Sequence, residues 1–169
     1  PTVGQTKQGY TALSFGRTTS DYIQFQPDDM SPFASSFTLC SWMKRMYSAR
    51  YPIVLLYHPS NEIIIGSDGY YNYVKGDHFD LSGKFPEANV WFHYCLSWAA
   101  GGTTRVYING VEVGSIAASS SNLRSGGTIC LGNQVQSSKH SNYIFGGELY
   151  KLNMFSEQLT SSQIREMAN

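Results

Sequence analysis

Short strand-like runs recur along the whole chain and are separated by clusters of Gly, Ser, Asn and Pro. This pattern is typical of an antiparallel β-sandwich. Asn109-Gly110 gives the clearest local signal, because both residues of a tight hairpin turn need positive φ. The predicted strands are 11–15, 21–26, 37–47, 53–57, 61–66, 70–74, 91–98, 104–109, 111–116, 128–132 and 147–155.

One helix is predicted near the end of the chain, over 159–168. Thr160 is the expected N-cap, with Gln163 at the capping-box position, and Ile164 and Met167 would face the sheet. The segments 115–127 and 134–142 are rich in small polar residues and are expected to be surface loops. The composition changes nowhere along the chain, so residues 1–169 are expected to form a single domain.

Charge limits the partners that such a domain can have. Only 14% of the residues are charged, against about 25% in a typical protein, and 12 basic residues balance 12 acidic ones. A neutral surface argues against nucleic acid and against anionic membranes. No apolar run approaches the ~20 residues of a membrane span, so no membrane insertion is expected. The chain begins at Pro1 without a leader, which is expected either of a mature secreted, extracellular protein after signal removal or of a shortened chain.

Three cysteines bear on the compartment. Cys40 and Cys95 lie centrally in predicted strands, and each is taken to have a tryptophan two residues later on the same strand face, Trp42 and Trp98. Neighbouring strands would carry them as one buried disulfide packed by indole rings. The alternative is a set of reduced core cysteines in a cytosolic protein. Cys130 is then left over, either as a free buried thiol or as a link between chains.

Several motifs together resemble the pentraxin and laminin-G-like domains. The segment from His93 to Trp98, His-Tyr-Cys-Leu-Ser-Trp, resembles the pentraxin motif His-x-Cys-x-Ser/Thr-Trp. Residues 129–133 resemble the strand that leads into the pentraxin ligand loop. Residues 146–155 and 159–164 resemble the closing strand and the helix entry. The resemblance implies an all-β, two-sheet antiparallel jelly-roll sandwich with one short C-terminal helix and a ligand face on one sheet.

The chain departs from this family where pentraxins bind calcium. The family's Asp-Asn-Glu stretch is matched here by Ser60-Asn61-Glu62, and its acidic second loop by residues 133–140, which contain no carboxylate. Because calcium needs several hard oxygen ligands and charged carboxylates set its affinity, no metal and no other cofactor is expected.

A patch of amides, hydroxyls and tyrosines suits a neutral sugar instead. The chain resembles bivalve pentraxin-like lectins that bind N-acetylglucosamine or N-acetylgalactosamine without calcium. Strand alternation puts Tyr73 on the face of Tyr71, opposite Tyr70 and Asn72. The resemblance implies that Tyr73 faces the ligand, because it best matches the family's ligand-facing position. The candidate sugar-binding residues are Ser60, Asn61, Tyr70, Tyr73, Asp77, His78, Asn133, Gln134 and Gln136.

Each candidate also has a purely structural interpretation. The tyrosines can pack on a half-buried sheet, Asn133 and Gln134 can serve a turn, and 77–80 can form a solvated loop. His93 is expected to be a structural histidine rather than a catalytic base.

The leading hypothesis is a calcium-independent lectin of innate recognition. Its weak single sites would require a homo-oligomer, with a dimer favoured. The alternatives are a laminin-G adhesion module with a protein partner and a calcium-dependent pentraxin. No enzyme is expected, because the paired carboxylates of a jelly-roll glycosidase are missing from every predicted strand.

Overall fold

A computed structural model describes residues 2–5, 11–16, 18, 21–46, 53–58, 62–67, 69, 72–132 and 144–169. The strands in these ranges are β1 (Thr2–Gln5), β2 (Thr11–Gly16), β3 (Ile23–Phe25), β4 (Ser36–Arg45), β5 (Ile53–His58), β6 (Ile63–Gly66), β7 (Asn72–Val74), β8 (Asp77–Phe79), β9 (Trp91–Ala99), β10 (Thr103–Ile108), β11 (Val111–Ala117), β12 (Thr128–Leu131) and β13 (Gly146–Phe155). A 3-10 turn spans Ser31–Phe33, and the helix α1 spans Ser161–Met167.

The strands form two antiparallel sheets. A seven-stranded sheet has the order β1-β2-β13-β4-β9-β10-β11, and a six-stranded sheet has the order β3-β12-β5-β6-β7-β8. The predicted all-β sandwich is therefore confirmed. None of the helices among the described residues is long and apolar enough to span a membrane.

The core between the sheets is built by the alternation of side chains along the strands, as β9 shows. On β9, Phe92, Tyr94, Leu96 and Trp98 all lie in the core cluster, whereas the residues between them face outward. The Tyr94 side chain is fully buried, and its hydroxyl donates a hydrogen bond of 3.1 Å to Oδ1 of Asn72 on the other sheet. Burial raises the pKa of Tyr94, so this hydroxyl stays protonated and the hydrogen bond ties the two sheets together.

The disulfide between Cys40 and Cys95 is confirmed, and it lies on the outer face of the seven-stranded sheet. The two cysteines are direct partners across β4 and β9, with Cα atoms 4.2 Å apart. Their cluster contains Tyr107, Leu159 and Ile164, so α1 covers the disulfide. A second, smaller core thus holds the helix onto the sheet.

The predicted packing of both indole rings on the disulfide is wrong. Trp42 follows Cys40 by two residues and shares its face of β4. Trp98 follows Cys95 by three residues, so alternation turns it to the opposite face, where its ring packs 5.5 Å from that of Phe37.

Two predicted local signals, the β10–β11 turn and the cap of α1, are confirmed. Asn109 and Gly110 have φ values of 51° and 75° in the β10–β11 turn. Thr160 and Gln163 form a reciprocal capping box at the start of α1, and Ile164 is fully buried against the sheet. The predicted strands recur with ends shifted by a few residues, whereas β1 and β8 were not predicted.

A buried ion-pair cluster ties the six-stranded sheet to the loop after β11. The Glu62 carboxylate, whose side chain is 4% exposed, lies 2.9 Å from the Lys75 ammonium and 3.5 Å from the Arg124 guanidinium. It also accepts a 2.6 Å hydrogen bond from the Arg124 backbone N–H. The Tyr57 hydroxyl donates to the Arg124 carbonyl at 2.6 Å. Glu62 therefore fixes the start of β6, the β7–β8 turn and the 118–127 loop together.

Removal of one cation from this cluster should destabilise the fold. Lys75→Met leaves the Glu62 carboxylate buried with less compensation, and we expect the free energy of unfolding to fall by about 2–4 kcal/mol. Chemical denaturation measures this loss. Lys84→Met, at an exposed lysine, is the control and should change stability by less than about 0.5 kcal/mol. Equal stability of the two variants would show that the cluster does not support the fold.

Gly69 lies against Leu81, which follows β8. Its φ is +83°, and a Cβ there would lie 2.5 Å from the carbonyl oxygen of Leu81. The backbone N–H of Leu81 donates a 2.9 Å hydrogen bond to the Gly69 carbonyl. Gly69→Ala should lower the midpoint of thermal unfolding by at least about 5 °C. Gly83→Ala is the matched control, because Gly83 has φ +74° but open space around it. If both variants lower the unfolding midpoint equally, positive φ alone explains the loss, and the contact with Leu81 does not contribute.

Candidate functional site

The outer face of the six-stranded sheet carries the described part of the candidate sugar site. Cross-strand pairing joins Ile64 to Tyr73 and Tyr73 to His78, so the three residues form one row across β6, β7 and β8. Their chain neighbours Ile63, Ile65, Val74 and Phe79 lie in the core. The row therefore points away from the core, as the alternation predicted for Tyr73, and Asn72 points inward as predicted.

Tyr73 and His78 form a stacked pair of rings at the edge of the sheet. Their centroids lie 4.6 Å apart with 30° between the ring planes. Tyr73 is half-buried and His78 is exposed. Stacking fixes both side chains before any ligand arrives, so little side-chain entropy is lost on binding. The pair offers an aromatic surface bordered by a hydroxyl and an imidazole.

Asp77 has a structural role next to this pair. Its carboxylate accepts a 2.6 Å hydrogen bond from the backbone N–H of Ser119. The solvated-loop interpretation of 77–80 is wrong for its first part, because Asp77–Phe79 is strand β8. Asp80 does lie outside the strand, and hydrogen bonds from the Ser82 hydroxyl and backbone N–H lower the pKa of its carboxyl group.

Glu62 belongs to the stretch that matches the family's first calcium loop, and it is the residue of Ser60-Asn61-Glu62 that the structure describes. Its carboxylate is held by two cationic side chains and one backbone N–H, as described above. A carboxylate held by cations is a poor ligand for a dication, because the ion would have to displace them from a buried position. The partners Lys75 and Arg124 were missed at the sequence level, since they lie 13 and 62 residues further along the chain.

The remaining candidates lie outside the described residues. Nothing in the structure tests the predicted role of any of them. They are Ser60, Asn61, Tyr70, Asn133, Gln134 and Gln136.

Among the described residues, one group has metal-ligand spacing, and it comprises Cys40, His93 and Cys95. Both sulfurs are consumed by the disulfide, so this group has no thiolate to offer a metal. The His93 ring nitrogens lie 3.8 Å from Sγ of Cys95, and burial lowers the pKa of His93. A neutral, buried imidazole beside a disulfide agrees with the predicted structural role. Cys130 forms no disulfide within the chain and is buried on β12.

Known structures resemble this fold over nearly the whole chain. A heptameric pentraxin from Limulus polyphemus, described as SAP-like, has a TM-score of 0.71 and 21% identity, covering 94% of this chain and 81% of its own. Domain 4 of the extracellular arabinanase AbnA from Geobacillus stearothermophilus, solved with arabinotriose, has a TM-score of 0.73 and 18% identity, covering 100% and 82%. A putative carbohydrate-binding protein from Bacteroides ovatus has a TM-score of 0.64 and 18% identity, covering 92% and 46%.

The sequence itself identifies the family. Curated proteins give no match. A family model does match, over residues 17–165, and it is described as the concanavalin A-like lectin/glucanases superfamily in its laminin-G branch. With its sandwich, its disulfide and this match over most of its length, the chain belongs to the laminin-G-like family of the concanavalin A-like lectins and glucanases.

Proposed function

We propose that this domain is a calcium-independent lectin that binds neutral N-acetylated sugars on the outer face of its six-stranded sheet. The observation that carries the proposal is the stacked Tyr73–His78 pair on that face. A pyranose ring lays its C–H face on an aromatic ring, while its hydroxyls need fixed donors and acceptors at the edge. Tyr73 and His78 supply both within one preorganised unit.

The electrostatics of this face support a neutral ligand. Lys75 and Arg124 neutralise Glu62, and the backbone of Ser119 engages Asp77. Neither carboxylate then has to be matched by a cation on the ligand or by calcium. An N-acetyl group adds one donor, one acceptor and a methyl, which suit the amides and tyrosines of the candidate set.

The relatives support a binding role rather than catalysis. One structural neighbour is described as a putative carbohydrate-binding protein, and another is an arabinanase domain solved with arabinotriose. Hydrolysis on such a sheet would need two carboxyl groups facing one sugar. Glu62 is paired with two cations, and Asp77 and Asp80 accept hydrogen bonds from the backbone N–H groups of Ser119 and Ser82. We therefore propose that the domain is not an enzyme.

The Cys40–Cys95 disulfide is consistent with an extracellular location. We propose that the protein is secreted and acts in innate recognition of glycans. One site of this size would bind a single sugar weakly, so avidity would require several sites on one particle. We propose a homo-oligomer with a dimer favoured, although the pentraxin neighbour is named as heptameric.

Sugar binding should be insensitive to chelation. In calorimetric titrations of N-acetylglucosamine and N-acetylgalactosamine, the affinity with EDTA should equal the affinity with millimolar calcium, because Glu62 is already paired with cations. Loss of binding in EDTA would instead identify the domain as a calcium-dependent pentraxin. Silence across a glycan array would favour the laminin-G alternative, in which the partner is a protein.

Removal of the aromatic ring of Tyr73 should weaken sugar binding. Tyr73→Ala is expected to reduce affinity about tenfold, which corresponds to the loss of one stacking contact. Tyr73→Phe should keep most of the affinity if the ring is what matters. Tyr22→Ala, at an exposed tyrosine before β3, is the matched control and should leave the affinity unchanged. Identical affinities in all variants would remove Tyr73 from the site.

A further inference from the structure

The outer face of the seven-stranded sheet carries a cleft, which we call the helix cleft. It lies between α1 and the outer face of the seven-stranded sheet, with a volume of about 320 Å³. The residues that line it include Trp42, His93, Lys151, Asn153, Glu166 and Met167.

The floor of the helix cleft is aromatic. Trp42 and His93 are direct partners across β4 and β9, and their ring centroids lie 5.3 Å apart. Trp42 is half-buried, and His93 is only 3% exposed. Because burial lowers the pKa of His93, its imidazole is uncharged near neutral pH and adds no cation to the floor. Trp42 is therefore the ring that a ligand would meet.

A β-bulge shapes the polar rim. The pairing of β13 with β4 shifts register between Tyr150 and Asn153, and Lys151 within the bulge has a φ of +50°. A non-glycine residue in this region costs about 1 kcal/mol or more. Bulges re-aim side chains, and this one brings Lys151 and Asn153 to the cleft that Trp42 lines.

The rim is balanced in charge and rich in hydrogen-bonding groups. Lys151 contributes a cationic side chain whose ammonium lies 5.2 Å from the centroid of the Tyr150 ring, Glu166 of α1 contributes a carboxylate, and Asn153 contributes an amide. The Asn153 amide also donates to the Lys151 carbonyl at 3.1 Å, which orients the side chain. An aromatic floor with donors and acceptors of no net charge suits a neutral polyol better than an anion or a cation.

The size of the cleft favours a single sugar ring over a protein partner. Ligand sites range from about 300 to 1,000 Å³, so this cleft lies at the lower end and holds one ring rather than a helix or a strand. A protein partner would need apolar anchors at the surface. Among the described residues, the exposed large hydrophobic side chains do not line the cleft; they are Tyr22, Phe25, Met46, Val90 and Val111.

We propose that the helix cleft is a second saccharide site, which holds one neutral sugar ring against Trp42. It is separate from the Tyr73–His78 face and lies on the other sheet. Two sites on opposite faces would allow one chain to bridge two glycans, because neither site blocks the other.

Protein NMR on the full chain tests this proposal. The probes are N-acetylglucosamine, N-acetylgalactosamine, glucose and galactose, titrated to about 50 mM to cover a millimolar site. At least one sugar should shift the Trp42 indole N–H and the Asn153 side-chain amide in a saturable manner. In Trp42→Ala the Asn153 shift should need about tenfold more sugar. Trp42→Phe keeps an aromatic ring at this position, so it serves as the variant to use if Trp42→Ala does not fold. Trp91→Phe, on the paired strand β9, is the control and should leave the Asn153 titration unchanged.

The outcomes separate this inference from the proposed function. Shifts at Tyr73 and His78 without shifts at Trp42 would overturn the second site and leave the lectin proposal intact. Shifts at Trp42 that survive Tyr73→Ala would support the helix cleft, whatever happens at the other face. An indole signal that no sugar moves, but that a protein partner does, would also overturn the proposal.

Discussion

The ion-pair cluster around Glu62 is the interaction on which the candidate sugar face depends. One buried carboxylate joins the start of β6 to the β7–β8 turn through Lys75 and to the 118–127 loop through Arg124. Tyr73 and His78 flank that turn on β7 and β8, so the cluster sets the position of the stacked pair. The same contacts neutralise an acidic group that would otherwise attract a cation to this face.

The sandwich separates its roles by strand alternation. Inward side chains form one core between the sheets, and outward side chains on each sheet form a different surface. On the six-stranded sheet the outward row ends in the Tyr73–His78 pair. On the seven-stranded sheet the outward residues hold the disulfide, the contacts with α1 and the helix cleft. On each sheet, the inward side chains build the core and the outward side chains form a separate surface.

Local chemistry made much of the fold predictable. Asn109-Gly110, the Thr160 capping box and the alternation around Tyr73 are short-range signals, and the structure confirms all three. The Lys75-Gly76 turn adopts positive φ at both residues but has a weak sequence signal, so β8 was missed. The partners of Glu62 and the bulge at Lys151 depend on long-range pairing, which spacing along one sequence does not reveal. The Trp98 error came from taking Trp98 as two residues after Cys95, when it is three residues after it.

The central proposal is that a neutral sugar binds beside Tyr73 and His78 without a metal ion. A crystal grown in EDTA and soaked with N-acetylglucosamine tests this most directly. We expect density for a pyranose ring against the Tyr73–His78 pair, with Lys75 and Arg124 still paired with Glu62. Density for an ion held by protein carboxylates on this face after a calcium soak, with sugar bound only in its presence, would contradict it.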